Sequence, residues 1–168
     1  RARELCDAHD VLLIADEIMT GFGRTGTMFA CEQAGIAPDL LCLSKGITGG
    51  YLPLSCVLST DEVYGTFYDD AVSRAFLHSH SYTGNPLACR AALATLDIFA
   101  SDGVIDRNRT LAAHLGARVA ELADLRHVAE VRQHGMIAAV EMAREGDRGR
   151  PFPWQERRGL RVYQHGLR

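Results

Sequence analysis

Of the eighteen lysine and arginine residues in this 168-residue chain, a single one, Lys45, is a lysine. All the others are arginines, whose guanidinium holds its proton too tightly to act as a nucleophile. A lysine amine can give up its proton and condense with a carbonyl to form a Schiff base. Asp16 stands 29 positions earlier. Each of the two follows an apolar run: Val11, Leu12, Leu13, Ile14 and Ala15 before Asp16, and Leu40, Leu41, Cys42, Leu43 and Ser44 before Lys45. In an open α/β sheet, ligands bind beyond the carboxyl ends of the strands, so both side chains would face one crevice. An amine and a carboxylate in that place suit pyridoxal phosphate. This cofactor needs a lysine for its Schiff base and an acid that keeps its ring nitrogen protonated. Taken alone, Lys45 reads equally well as a surface cap on a strand, and Asp16 more simply as a turn or helix-cap aspartate.

Two other patterns compete for attention. Gly21-Phe22-Gly23-Arg24-Thr25-Gly26 spells GxGxxG, the letters of a dinucleotide-binding turn. Its first glycine lies five residues beyond Asp16 instead of opening directly from a strand, and no helix begins cleanly at the third. The next acid near a strand, Asp39, precedes its strand instead of ending it, so the dinucleotide reading is weak. Ser44-Lys45-Gly46 lacks the order of a Walker A loop. His78 and His80 would share a face in a strand, but no third ligand has suitable spacing, and no metal site is expected. The hydroxyls and amides of Ser79, Ser81, Tyr82 and Thr83, just before a helix start, suit a phosphate better.

The elements that must hold these residues alternate in type. Residues 1–9 read as the end of a helix, 11–15 as a strand, 21–27 as a glycine-rich loop and 29–34 as a short helical stretch. Residues 40–44 and 54–58 read as further apolar strands. Short all-apolar strands with long connections argue for a mostly parallel sheet between helices, an α/β arrangement. Asn85 and Pro86 mark a helix start as N-cap and first helical residue. The helix over 87–100 is apolar almost all round, which predicts burial between layers. A helix over 105–123 carries Leu111, Leu115, Val119 and Leu122 on one stripe. Strand-like runs at 127–132 and 136–142 and a polar Gly/Pro loop at 144–153 precede a last helix. The pattern changes near residue 102, so residues 1–101 are expected to belong to one domain and 102–168 to a smaller α+β one.

Composition excludes several classes. With 47% hydrophobic and 23% charged residues and a net charge of −3, the chain reads as globular, without a basic footprint for nucleic acid or anionic membrane. No apolar run approaches the ~20 residues that span a bilayer. The five cysteines, Cys6, Cys31, Cys42, Cys56 and Cys89, are odd in number and unpaired in pattern. They read as small hydrophobes in a reducing, cytoplasmic compartment. The chain opens without Met, in what looks like mid-helix, as a fragment would.

The strings Leu13-Ile14-Ala15-Asp16-Glu17-Ile18, Gly21-Phe22-Gly23-Arg24-Thr25-Gly26, Leu43-Ser44-Lys45-Gly46 and Tyr82-Thr83-Gly84-Asn85-Pro86-Leu87-Ala88-Cys89 together resemble the class III aminotransferases. The match is dense over residues 10–100 and thin afterwards. The resemblance implies an aspartate-aminotransferase-like fold (PLP fold type I), pyridoxal 5'-phosphate as cofactor, and a homodimer whose active site is shared between subunits. It implies that Lys45 forms the Schiff base and carries the proton transfer, that Asp16 pairs with the ring nitrogen, and that Ile18 packs against the ring. Ser81, beside His80, falls where the family binds the cofactor phosphate from the neighbouring subunit. Ser79 and Arg24 fall at substrate-facing positions. Phe29-Ala30-Cys31-Glu32 and His80-Ser81-Tyr82-Thr83-Gly84-Asn85-Pro86 are most similar to a branch acting in biotin synthesis. That branch moves an amino group from S-adenosylmethionine to 8-amino-7-oxononanoate. Ser79-His80-Ser81 departs from the commoner Gly-Pro-Thr or Gly-Ser-Thr, which keeps lysine, a diamine or a β- or ω-amino acid open as donor. The family's first phosphate loop would precede residue 1 and its carboxylate-binding arginine would follow residue 168. Alone, this stretch is therefore not expected to turn over.

Overall fold

The computed structural model describes residues 1–168, which form two compact units, Arg1–Asn108 and Arg109–Arg168. The first unit is built on helix α1 (Ala2–Ala8), strands β1 (Ile14–Asp16), β2 (Leu40–Leu43) and β3 (Cys56–Ser59), and helices α2 (Asp61–Phe67) and α3 (Pro86–Ser101). Helix α4 (Val104–Ala120) runs across the boundary between the units. The second unit adds strands β4 (Val128–His134) and β5 (Ile137–Met142) and helix α5 (Arg158–Gly166).

The first sheet has the order β1-β2-β3. β1 and β2 run parallel, with Asp16 opposite Cys42. β3 runs antiparallel to β2, with Leu43 opposite Cys56. The expectation of parallel strands therefore holds for the first pair and fails for the third strand. A parallel return needs a crossover, usually an α-helix. Between β2 and β3 the chain supplies only the 3₁₀ turn Lys45–Thr48 and glycine turns, so it doubles back.

The core of this unit gathers around one aromatic ring. Phe22, Leu43, Ile47 and Ala92 are buried, with Met28, Phe29, Leu41, Leu54, Cys56 and Phe99 packed against them. Phe22 meets Phe29 and Phe99 edge-on, with centroids 5.7 and 6.2 Å apart. Helix α3 starts as the sequence indicates: Asn85 Oδ1 accepts from the Leu87 amide at 3.0 Å, with Pro86 in the first turn. Its burial differs from expectation. Only Ala88 and Ala92 are buried, while Leu87, Leu93 and Ile98 are more than half exposed, as are Ile14, Val57 and Leu58 on the strands. Small alanines let α3 approach the turn after β2 on one side. The sheet has no second layer on every face within this chain. The cysteines are all free, and Cys89 lies exposed on α3 instead of in an apolar interior.

In the second unit β4 and β5 pair as an antiparallel hairpin through a turn at Gly135, whose φ of +57° is the left-handed region glycine enters without strain. Gln133 Nε2 donates to the carbonyls of Ala112 and Gly135 at 2.6 and 2.9 Å, tying the hairpin to α4. Arg132 bridges Glu130 and Glu141 on the hairpin face. No helix in the chain is long and apolar enough to cross a membrane.

Candidate active site

Asp16 is the last residue of β1, and Lys45 follows the last residue of the adjacent parallel strand by two. The ladder alone thus brings both to the same end of the sheet, beyond the carboxyl termini of β1 and β2. Both are exposed. Asp16 Oδ1 accepts from the Ile18 amide at 3.0 Å, an Asx turn that aims the carboxylate and leaves Oδ2 without a partner. The Lys45 amine takes part in no hydrogen bond or ion pair. Lys45 also holds φ at +44°, in the left-handed region that a non-glycine residue enters at a cost of roughly 1–3 kcal/mol. Its surroundings impose that conformation. The Ser44 hydroxyl donates to the Leu54 carbonyl at 2.7 Å, and the Thr48 hydroxyl, 2% exposed, donates to the Leu52 carbonyl at 2.6 Å. Ile47 is buried in the core beneath the turn.

The GxGxxG loop has a packing role. Residues 21–26 form consecutive turns and no helix starts from them. Phe22 turns into the core at φ +59°, and Gly46 passes so close that an added Cβ would lie 2.8 Å from the Phe22 ring and Cβ. A Cβ on Gly23 would lie 2.8 Å from Asn108 Nδ2. Gly46 and Gly23 thus admit an aromatic ring and neighbouring side chains, and no helix N-terminus opens at the third glycine of the loop to receive a pyrophosphate. Asp39, the acid that a dinucleotide site would have needed, is used structurally. It accepts from Arg3 Nη1 at 2.7 Å and from the Leu13 amide at 2.6 Å, and these contacts hold its carboxyl below the usual range.

Arg24 lies exposed on that loop, with no hydrogen bond or ion pair. Ile18 is half-buried just beyond Asp16. Residues 78–83 form a separate exposed segment before α3. There the His80 amide donates to Thr83 Oγ1 and the Tyr82 amide donates to His80 Nδ1, both at 3.1 Å. Ser79 and Ser81 have free hydroxyls. No hydrogen bond or ion pair joins this segment to Asp16, Arg24 or Lys45. The structure thus brings Asp16 and Lys45 together directly, Ile18 and Arg24 through the loop after β1, and leaves Ser79, His80 and Ser81 apart. No three His, Cys, Asp or Glu side chains gather where a metal ion could sit.

Sequence reasoning overlooked Glu17. It is 3% exposed, and its carboxylate accepts from the Thr20 hydroxyl at 2.5 Å and from the Cys31 amide at 2.8 Å. Burial pushes its pKa up, but hydrogen bonds from Thr20 and from the backbone at Ala30 and Cys31 outweigh that and hold it below the ordinary glutamate value. The signal was present in the two-residue period of a strand: next to an outward Asp16, Glu17 must face the other way.

Comparisons with known proteins agree over nearly the whole chain. The family model "Aminotransferase class-III" matches residues 1–167. The adenosylmethionine-8-amino-7-oxononanoate aminotransferase of Geobacter sulfurreducens is 51% identical over 161 residues, covering 95% of this chain and 36% of that protein. The crystal structure of the enzyme of that name from Methanocaldococcus jannaschii superposes with a TM-score of 0.89 at 41% identity, covering 95% of this chain and 37% of that one. An amine transaminase from an uncultivated Pseudomonas species, solved in its PLP-bound internal aldimine form, superposes with a TM-score of 0.78 at 39% identity. It covers 84% of this chain and 32% of that one. The chain spans about a third of the length of the relatives it matches.

Proposed function

The chain belongs to the class-III aminotransferases, and from that premise we propose that it carries the reactive half of a pyridoxal-phosphate transaminase active site. Its fold is the α/β fold type I of these enzymes. The observation that carries the proposal is the pairing at the strand ends: an unpaired lysine amine and a carboxylate with one free oxygen, beyond two neighbouring parallel strands. This donor set fits the cofactor. When bound, pyridoxal phosphate supplies a protonated ring that withdraws electrons from the carbon bearing the amino group. Lys45 would hold the cofactor through Nζ and then move a proton at that atom between donor carbon and cofactor carbon. Asp16 would keep the ring-nitrogen proton in place with Oδ2, while Oδ1 stays on the Ile18 amide. Ile18 would pack an apolar side chain on the ring and exclude water. Ser81 and His80 would bind the phosphate of the partner subunit's cofactor in a homodimer, and Ser79 and Arg24 would face substrate.

The reaction we assign is transfer of the amino group of S-adenosylmethionine to 8-amino-7-oxononanoate, giving 7,8-diaminononanoate in biotin synthesis. The names and high identity of the relatives support it. A second reading, an ω-aminotransferase that takes lysine, a diamine or a β- or ω-amino acid as donor, is favoured by the Ser79-His80-Ser81 string and by the amine transaminase neighbour. Free cysteines and the lack of a membrane-crossing helix support a cytoplasmic setting. We assign residues 1–101 to the cofactor domain and 102–168 to the start of a smaller one. The test is to load the full-length protein with cofactor and follow its visible spectrum while S-adenosylmethionine is added. Conversion to the pyridoxamine form is expected. An absorption band that ignores S-adenosylmethionine but responds to lysine selects the second reading, and no band in the loaded protein overturns both.

A further inference from the structure

Glu17 lies next to the proposed cofactor site, is ionised and buried, and has no part in the chemistry just assigned. What it does is visible in its partners. Residues 18–30 leave β1, form the glycine loop that bears Arg24, and return at the 3₁₀ turn Ala30–Ala34. The two carboxylate oxygens of Glu17 hold this excursion at both feet, Oε2 on the Thr20 hydroxyl near its start and Oε1 on the Cys31 amide at its end. The Glu17 carbonyl also accepts from the Gly21 amide at 2.9 Å. Further along, the Phe22 amide donates to Met28 O at 2.7 Å, Gln33 Nε2 donates to Thr25 O at 2.8 Å, and Phe22 itself is seated in the core. Arg24 at the tip faces solvent, as does Met19 near the start of the loop.

We propose that the Glu17 carboxylate is a positioning residue, a clasp that closes the base of the 18–30 loop and thereby sets where Arg24 meets substrate. The inference rests on the reading of Arg24 as substrate-facing. Asp16 and Lys45 do not depend on the clasp. Asp16 is held by the β1–β2 ladder, with the Glu17 amide donating to Cys42 O at 3.0 Å, and Lys45 is held by its own turn. Removing the carboxylate strands a buried amide donor and frees the loop's base. Ile18 keeps its amide on the Asp16 carboxylate and Phe22 stays seated in the core without the clasp, so the damage should fall on the Arg24 end of the loop, on substrate recognition more than on cofactor binding.

The experiment compares Glu17→Ala and Glu17→Gln in the full-length holoenzyme. It measures KM for 8-amino-7-oxononanoate, the cofactor dissociation constant and amide exchange at Cys31. Glu17→Ala should raise KM about tenfold or more, the loss expected for hydrogen bonds to a charged group. Cysteine-31 exchange should speed up, while cofactor affinity stays within about threefold. Glu17→Gln should restore both readouts, because its carbonyl still accepts from the Cys31 amide and its NH2 can donate to the rotatable Thr20 hydroxyl. If Glu17→Ala does not fold, Thr20→Ala removes one arm and should show the same pattern at smaller size. Cofactor affinity falling in step with KM, unchanged Cys31 exchange, or a Glu17→Gln variant no better than Glu17→Ala would each overturn the clasp. Arg24→Ala with an unchanged KM would instead remove the reading of Arg24, while the exchange data still judge the clasp.

Discussion

Two stretches of this chain carry the proposed site residues, and they are built in opposite ways. Residues 16–48 are held from within: a parallel ladder, the Glu17 carboxylate, a buried phenylalanine and two hydroxyl-to-carbonyl bonds fix the frame around Asp16 and Lys45. Residues 78–83 are exposed, and their hydrogen bonds are local: among His80, Tyr82 and Thr83, and from the Asn85 amide to the Tyr82 carbonyl at 3.1 Å. The difference teaches that the chain fixes the frame around Asp16 and Lys45, to which we assign the acid and covalent roles, by its own packing. The Ser81 hydroxyl, which we propose meets the cofactor phosphate, has no such frame within the chain, which accords with the proposed role in a neighbouring subunit's site.

The contrast is open to attack from both sides. The largest effect belongs to Lys45→Ala in the full-length protein, which should abolish transamination in a steady-state assay while a dialysis measurement still finds cofactor bound; residual turnover near the parent rate would remove Lys45 from its role. Asp16→Asn keeps the Asx turn but cannot hold the ring proton as a carboxylate does, so kcat should fall by about 10²–10⁴. A near-normal kcat would reduce Asp16 to a turn residue. Ser81→Ala belongs to the loosely held stretch. It should weaken cofactor binding by about tenfold, as for a hydrogen bond to a charged group, with no change in Tm. A falling Tm would show that residues 78–83 are framed after all. The smallest effect is on acid stability. Because Glu17 has a lowered pKa in the folded state, its contribution is present in full above the ordinary glutamate range and is lost as pH falls through the lowered value. Urea midpoints of the parent protein should therefore decline with acid more steeply than those of Glu17→Gln.

Much of the frame was legible in the residues. The ends of β1 and β2, the Asn85-Pro86 helix start and the β4–β5 hairpin follow from apolar runs and capping chemistry, which are local. The reversal of β3 was less legible, because direction depends on whether a connection crosses the sheet, and nothing in 54–58 records it. The same limit misjudged α3: apolarity all round announces burial somewhere, yet within this chain only Ala88 and Ala92 are buried. The glycine loop is ambiguous in its letters alone, since GxGxxG serves an aromatic ring as well as a phosphate.

By itself, then, the amino-acid sequence determined the chemistry available here: one lysine, an aspartate closing the neighbouring apolar run, and hydroxyls ahead of a capped helix. Residue types and periodicities are properties of the chain. Tertiary structure alone decided that Asp16 and Lys45 share a sheet end through a parallel register, that Phe22 and Lys45 sit at positive φ, and that Glu17 closes a loop. Each of these depends on atoms far apart in sequence meeting at hydrogen-bond or van der Waals distance, which packing selects and local preference does not encode.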